Sequence, residues 1–254
     1  MLQELFGLQG KRALITGGSS GIGRAVAEAF AAAGADVVIA SDRQGDIDET
    51  VAALEAAGGN AVGIQCRLNG RAEAEALVSQ AEDALGGPID ILVSNAGIEG
   101  PVGDTGAGEE AQYLKVFDVN LHSAYWLAAA CKDGMATQGG GAIILMASLS
   151  ALRGNRMIGP YSMSKAALAA MARNLAVEFG PLNIRTNAIA PGLIETPFSR
   201  PLLSNPDFVA KRVHGMTPLR RVGQPAEIAA AALFLAGKGG RLPLATPWSW
   251  TEAP

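Results

Sequence analysis

A doubly wound α/β architecture, one parallel sheet between two helical layers, is predicted by the alternation of two kinds of segment. Six short apolar or β-branched runs read as buried strands: RALIT (12–16), DVVIAS (36–41), AVGIQC (61–66), IDILVSN (89–95), GAIILMAS (141–148) and IRTNAIAP (184–191). Ala-rich amphipathic stretches fall at 22–33, 47–57, 72–85, about 108–135, 161–179 and 226–236. Parallel strands need a crossover, usually a helix, so this order specifies a sheet covered on both faces.

Composition narrows the class further. The chain has 254 residues, 49% of them hydrophobic, with no long Pro/Ser linker and no internal repeat, which suits a single domain. Two cysteines exclude a disulfide scaffold, and Cys66 and Cys131 read as reduced, buried thiols. With 20 basic and 24 acidic side chains the net charge is -4, without the basic stripe that nucleic acid requires. No uninterrupted run of about 18 apolar residues offers a membrane span. The N-terminus, MLQELFGLQGKRALIT, shows no secretory pattern, and a cytoplasmic protein is expected. His122 and His214 stand far from both cysteines, so no metal site is expected and each reads as a surface or flap residue. From 196 to 224 the pattern breaks into Pro-punctuated pieces (TPFSRPLLSNPDF, TPLRRVGQP), read as a mobile flap over the carboxyl edge of the sheet, where open α/β sheets bind ligands.

The first strand runs straight into TGGSSGIG (16–23) and then a helix. A glycine turn there lets backbone N–H groups and a helix N-terminus face a diphosphate, with Gly17, Gly21 and Gly23 carrying the turn. The same glycines also suit any tight strand-to-helix turn. GGSSGIGR lacks the Lys-Ser/Thr pair of a nucleoside-triphosphate loop, which points to a dinucleotide. At the end of the second strand stand Ser41, Asp42 and Arg43. The Asp42 carboxylate suits ribose hydroxyls and repels a 2′-phosphate, favouring NAD, whereas Arg43 suits the 2′-phosphate of NADP. Two solvated turn charges are the alternative.

Tyr161 and Lys165 stand four apart in YSMSKAALAAMARNLAVEF, on one face of a helix. An ammonium beside a phenol stabilises phenolate and brings its pKa, ordinarily about 10, toward the working range of an acid/base group. Taken alone, such a pair is also an ordinary helix surface pair.

Together, TGGSSGIG, SNAG (94–97), Asn120 in DVNLHS, Ser148 in MASLSA, YSMSK and NAIAPGLIET resemble the short-chain dehydrogenases/reductases, over Gly10 to about Leu235. The resemblance implies a Rossmann-type fold and an NAD(P)-dependent oxidoreductase interconverting a secondary alcohol and a ketone or aldehyde. Residue by residue, it implies that Tyr161 is the general acid/base, that Ser148 hydrogen-bonds the substrate oxygen, and that Lys165 lowers the Tyr161 pKa and holds the nicotinamide ribose. Asn120 would anchor a water linking Lys165 to solvent. On the cofactor it implies Gly17, Ser19, Ser20, Gly21, Ile22 and Gly23 at the glycine turn, Asp42 and Arg43 at the ribose, and Asn95, Ala96 and Gly97 on the adenosine side. Pro191, Gly192, Ile194 and Thr196 then lie beside the nicotinamide. Position along the motifs bounds the substrate site by Glu99, Leu149, Ser150, Arg153, Arg156, Met157 and the flap from Phe198 to Val213. Arg153 and Arg156 suit an anionic substrate or are simply solvated. A homo-oligomer, dimer or tetramer, goes with the resemblance.

Three departures from the family pattern stand out. Arg67 and Leu68 stand where the family usually has an Asp and an apolar residue after the third strand, so an acceptor for the adenine amino group has become a cation; on the resemblance Leu68 still packs on adenine and Arg67 stacks or reaches a phosphate. Asp42 falls one position later than the commonest NAD-selecting Asp, while Ser20 is neutral where NADP-preferring relatives often carry a basic residue; NAD is favoured. The third is the end of the chain, where AGKGGRLPLATPWSWTEAP (236–254) stands in place of a closing strand of the form TGxxLxVDGG. Back-translating Pro247 to Ala253 and reading from each third base gives, for common codons, Leu/Val-Val-Leu/Val-Asp-Gly-Gly. Residues 1–237 are therefore assigned to the dinucleotide-binding domain and 238–254 to an atypical tail, with a frameshift near Lys238 expected to have replaced the last strand. A divergent terminus is the other reading. Loss of an edge strand predicts weaker association, with Trp248 and Trp250 exposed. A second functional class also stands: a catalytically impaired nucleotide-binding or scaffold protein of the same fold, which would have no need of Asn120, Ser148, Tyr161 and Lys165 together.

Overall fold

The computed structural model describes residues 1–241 and the backbone of Trp248–Ser249. Its strands are β1 (Arg12–Thr16), β2 (Asp36–Ser41), β3 (Asn60–Gln65), β4 (Ile91–Ser94), β5 (Gly141–Met146), β6 (Ile184–Ala190) and a two-residue β7 (Trp248–Ser249). The helices are α1 (Leu2–Phe6), α2 (Gly21–Ala32), α3 (Gln44–Ala56), α4 (Arg71–Leu85), α5 (Glu110–Phe117), α6 (Ser123–Thr137), α7 (Gly159–Phe179), the short α8 (Arg200–Leu203) and α9 (Pro206–Phe208), and α10 (Pro225–Ala236). All strand pairs are parallel, in the order β3-β2-β1-β4-β5-β6-β7. Chain direction across the sheet reverses between β1 and β4, and the crevice at such a switch point is where these sheets take ligands.

Period-two alternation divides the core in two. Leu14, Val38, Leu92, Ile143 and Leu145 face α4, α6 and α7, whereas Ala13, Ile15, Val37, Ile39, Val93 and Ile144 face α2, α3 and α10. Both sides of each central strand are buried, which is why the strands read as continuous apolar runs rather than alternating ones. Phe30 of α2 is fully buried in the second layer, a burial worth about 2–3 kcal/mol. The C-terminal end of α10 is held by Arg185 of β6, whose guanidinium donates to the Ala236 carbonyl at 3.1 Å and the Gly240 carbonyl at 2.8 Å.

The stretch expected as one helix over about 108–135 is divided. A π-turn at Asp118–His122 separates α5 from α6. Helix α7 begins at Gly159, two residues before Tyr161, with Pro160 in its first turn where a missing N–H costs nothing. The flap contains α8, α9 and a second π-turn at Val209–His214. Of the tail, Lys238–Arg241 form a 3₁₀ turn, and the Trp248–Ser249 backbone pairs with Ile189–Ala190 where the sequence alone shows no closing strand. The remaining tail residues, Trp250 among them, lie outside the described residues. Cys66 and Cys131 are both free thiols; Cys131 is fully buried as expected, whereas Cys66, just after β3, is only partly so. Among the described residues no helix is long and apolar enough to cross a membrane.

Candidate active site

The glycine turn links β1 to α2 with Gly17 at φ 62° and Gly21 at φ 52°, both in the left-handed region where a Cβ is strained. Gly23 is required for a different reason: a Cβ there would fall on the Gly17 carbonyl and 2.6 Å from Asn95 Nδ2. Asn95, just after β4, latches the turn by donating from Nδ2 to the Thr16 and Gly17 carbonyls at 3.0 and 3.2 Å. Thr16 Oγ1 in return accepts from the Asn95 and Ala96 amides, each at 3.1 Å. Ser19 is buried, and its hydroxyl donates to Ser41 Oγ at 2.8 Å, tying the turn to the end of β2. Ser19 therefore holds the loop in place with its side chain. Ser20 caps α2 with no side-chain hydrogen bond, and Ser20, Gly21 and Ile22 line a cleft, so the first amides of the helix face it.

This cleft has a volume of about 1010 Å³ and runs from the glycine turn to the flap. It is walled by Asn95, Ala96 and Gly97, by Pro191, Gly192, Ile194 and Thr196, and by Ser148, Tyr161 and Lys165. Ser148 follows β5 and caps the 3₁₀ turn Leu149–Ala151, its Oγ accepting from the Ser150 amide at 3.1 Å. The Leu149 amide donates to the Pro191 carbonyl at 2.8 Å, which joins the Ser148 loop to the end of β6. Ser199 holds the next corner, donating to the Ile194 carbonyl at 2.5 Å and accepting from the Thr196 amide at 3.1 Å.

Tyr161 is in the first turn of α7 and, with Ser148, lines the cleft. Burial raises its pKa above the ordinary phenol value, Ser148 opposes that rise and the Glu99 carboxylate adds to it. The lowering expected from Lys165 is not found: only Ser148 acts in that direction. Lys165 Nζ lies 5.7 Å from the Tyr161 ring centroid and donates to the Met146 carbonyl at 2.7 Å. Burial lowers its own pKa from 10.5 to about 8. The spacing of the pair is visible in the sequence, but the depth at which it is buried is not.

Asn120 sits in the π-turn and is buried. Its Oδ1 accepts from the Ile98 amide at 2.8 Å, and its Nδ2 donates to the Ile98 carbonyl and to Ser164 Oγ, each at 3.0 Å. The side chain is therefore committed to fastening the loop after β4 to α7. Asn120 Oδ1 and Lys165 Nζ flank Gly97, at 3.2 and 3.3 Å from where its Cβ would stand. Ser164, within YSMSK, was passed over by sequence reasoning, because neither its burial nor its bond to Asn120 leaves a mark in the spacing.

The adenosine side is more open. Asp42 and Arg43 are exposed just after β2, and Arg43 pairs with Asp46 at 2.6 Å. Arg67 is exposed, whereas Leu68, expected to pack on adenine, is instead buried in the core layer that includes Val38 and Ala40. None of these four lines the cleft. Ser150, Arg153, Arg156 and Met157 all do, with Met157 held at φ 77° by its carbonyl accepting from the Gly103 amide at 2.8 Å. Arg156 pairs at 3.3 Å with Asp104 in solvent, an ion pair worth little. His122 and His214 are exposed. The close-approach glycines and the outward amides of α2 are the donor set that a dinucleotide diphosphate requires, so the residues present fit that group.

Comparison with known proteins agrees with this geometry. A family model described as enoyl-(acyl carrier protein) reductase matches residues 17–242. Dehydrogenase/reductase SDR family member 4 of Bos taurus is 37% identical over 228 residues, covering 90% of this chain and 81% of the relative. The 7alpha-hydroxysteroid dehydrogenase of Escherichia coli is 37% identical over 228 residues, covering 90% and 88%. A solved 7 alpha-hydroxysteroid dehydrogenase complexed with NADH and 7-oxo glycochenodeoxycholic acid superposes with a TM-score of 0.92 at 34% identity, over 98% of this chain and 95% of that one. The chain belongs to the short-chain dehydrogenase/reductase family of NAD(P)-dependent oxidoreductases.

Proposed function

We propose that this protein interconverts a secondary alcohol and a ketone or aldehyde, with NAD favoured over NADP, and that Ser148, Tyr161, Lys165 and Asn120 carry the chemistry. The observation that supports this most directly is that Ser148, Tyr161 and a buried Lys165, its Nζ 5.7 Å from the Tyr161 ring centroid, wall the cleft that also contains the glycine turn. The nicotinamide, when bound, supplies or takes up the hydride. Gly17 to Gly23 would hold the diphosphate, Asp42 the adenosine ribose, Lys165 the nicotinamide ribose, and Ile194 and Thr196 the carboxamide.

In the reducing direction Tyr161 gives its proton to the substrate oxygen while Ser148 hydrogen-bonds the same oxygen as charge develops on it. The raised phenol pKa keeps Tyr161 protonated at neutral pH, which is the form needed here. In the oxidising direction Tyr161 accepts the alcohol proton and must first lose its own, which a rising pH favours. Lys165, with a pKa of about 8, is charged at neutral pH and offsets the developing phenolate. Asn120 keeps the Ile98 loop and α7 in register, and so positions Lys165. The NAD preference is supported by Asp42 and by the engagement of Arg43 with Asp46, which draws the guanidinium away from a 2′-phosphate. The known neighbour's ligand, a 7-oxo bile-acid conjugate, is consistent with a carbonyl on a secondary carbon.

The experiment is a panel of secondary alcohols and ketones, bile acids included, assayed with both cofactors by nicotinamide absorbance. Turnover is expected with at least one pair, faster with NAD, with oxidation rising and reduction falling as pH increases. Tyr161→Phe should lose turnover and keep cofactor binding; turnover unchanged in that variant overturns the assignment.

A further inference from the structure

Phe198 is an aromatic side chain that the acid/base chemistry does not use. It lines the cleft, 49% exposed, with its ring centroid 6.1 Å from that of Tyr161 and the two planes 34° apart. That separation falls within the range of packed aromatic pairs, so Phe198 lies against the proposed acid/base residue with half its surface still open. The backbone that carries it is pinned. Ser199, the next residue, is buried, donates to the Ile194 carbonyl and accepts from the Thr196 amide at 3.1 Å. On its other side the same corner meets the glycine turn: a Cβ at Gly21 would stand 3.2 Å from Thr196 Cβ and 3.8 Å from Pro197 Cδ. Thr196–Ser199 therefore reaches from the diphosphate turn to Tyr161, and Phe198 stands beside the space where a bound cofactor and Tyr161 meet at the reacting carbon.

Phe198 has apolar company. Met157, Leu202 and Met216 line the same cleft and are also among the large apolar side chains left exposed. Side chains of this kind along one concave wall gain when an apolar body displaces the water over them. Charged side chains of both signs line the cleft as well, Glu99 and Asp207 against Arg156 and Lys211 among them, and Arg156 is paired with Asp104. A polar group on the substrate has partners there, whereas the face of Phe198 offers a hydroxyl none. We infer that Phe198 is a specificity-determining residue that packs on a carbon substituent of the reacting carbinol, so that secondary alcohols bearing several carbons at that position are favoured over short or hydroxylated ones. This rests on the alcohol–carbonyl reading above, and the test separates the two.

The probes are 2-propanol, 2-butanol, 2-pentanol and 2-hexanol, with propane-1,2-diol as the hydroxylated match for 2-butanol, each measured for NAD-linked oxidation. Acetone and 2-hexanone are measured by calorimetry for binding to the NAD-loaded protein, a pairing with no hydride to transfer. In wild type kcat/KM is expected to rise about fourfold per added methylene, about sixtyfold from 2-propanol to 2-hexanol, and to be roughly tenfold higher for 2-butanol than for the diol. Phe198→Ala should cut the 2-hexanol to 2-propanol ratio by about tenfold while leaving 2-propanol itself near wild type; Phe198→Leu, which keeps an apolar contact, should retain most of the ratio. NADH affinity and melting temperature show that each variant is folded. A flat or falling series in wild type, a preference for the diol, a ratio that survives Phe198→Ala, or a loss equal for 2-propanol and 2-hexanol overturns the inference. Absence of all turnover, with 2-hexanone bound more tightly than acetone and that difference reduced in Phe198→Ala, overturns the alcohol–carbonyl reading and upholds the contact at Phe198. Absence of turnover with the two ketones bound alike overturns both.

Discussion

Replacing Lys165 by Met removes a fully buried ammonium and changes how stability depends on pH by an amount that can be worked out. Burial lowers the Lys165 pKa from 10.5 to about 8. In the unfolded chain the side chain titrates near its ordinary value, about 10.4. Between about pH 8 and pH 10.5 the unfolded state therefore holds a proton that the folded state has released, and stability rises with pH across this window. Below about pH 8 both states are protonated and the penalty for burying the charge is constant. At about 1.36 kcal/mol per pH unit, the whole change is about 3 kcal/mol, of which about 2 kcal/mol is realised by pH 10. Met has no proton to lose. The variant also leaves the Met146 carbonyl without its 2.7 Å donor, a loss of about 1–3 kcal/mol that does not vary with pH. Guanidinium unfolding of wild type and Lys165→Met at pH 7, 8, 9 and 10 isolates the titration as the difference between the two curves. That difference should move in favour of wild type by about 2 kcal/mol from pH 8 to pH 10. Parallel curves would refute the reasoning, because they would mean that Lys165 titrates alike in both states.

Two further predictions concern the ends of the site. Gly23→Ala should abolish cofactor binding, because the new Cβ falls on the Gly17 carbonyl and crowds Asn95; fluorescence titration with NADH checks this, and wild-type affinity contradicts it. For the tail, the coding DNA should encode the closing strand in the shifted frame beyond Lys238. A variant carrying that strand should melt higher and run at a larger mass by light scattering; unchanged values, or a shifted frame without the strand, remove the frameshift reading.

The strands were legible because both faces of the sheet are covered, so apolar runs such as 36–41 and 141–148 had no competing polar pattern. The glycine turn was legible because close backbone approach admits few residue types. Helix α5, the π-turn and α6 read as one helix because an inserted residue leaves the apolar spacing on either side intact, and what fixes the insertion is a tertiary contact, Asn120 to Ile98 and Ser164. The direction of the Tyr161 pKa was misjudged for a similar reason. Four-residue spacing reports the Lys165 neighbour but not the burial that raises the phenol pKa, nor the Glu99 charge brought in from another loop. Leu68 gave no sign that it turns into the core beside Val38.

The π-turn has a consequence for how this chain can change its length. Each residue of an α-helix turns the chain by about 100°, so a single deletion within Asp118–His122 would let the helical ladder close without interruption and at better local hydrogen bonding. The same deletion would swing the carboxamide of Asn120 out of register with the backbone it now clasps. Shortening this segment would make a straighter, locally more regular helix and cost the molecule the fastening between its fourth-strand loop and the helix bearing Tyr161, so local regularity and chemical competence oppose each other here.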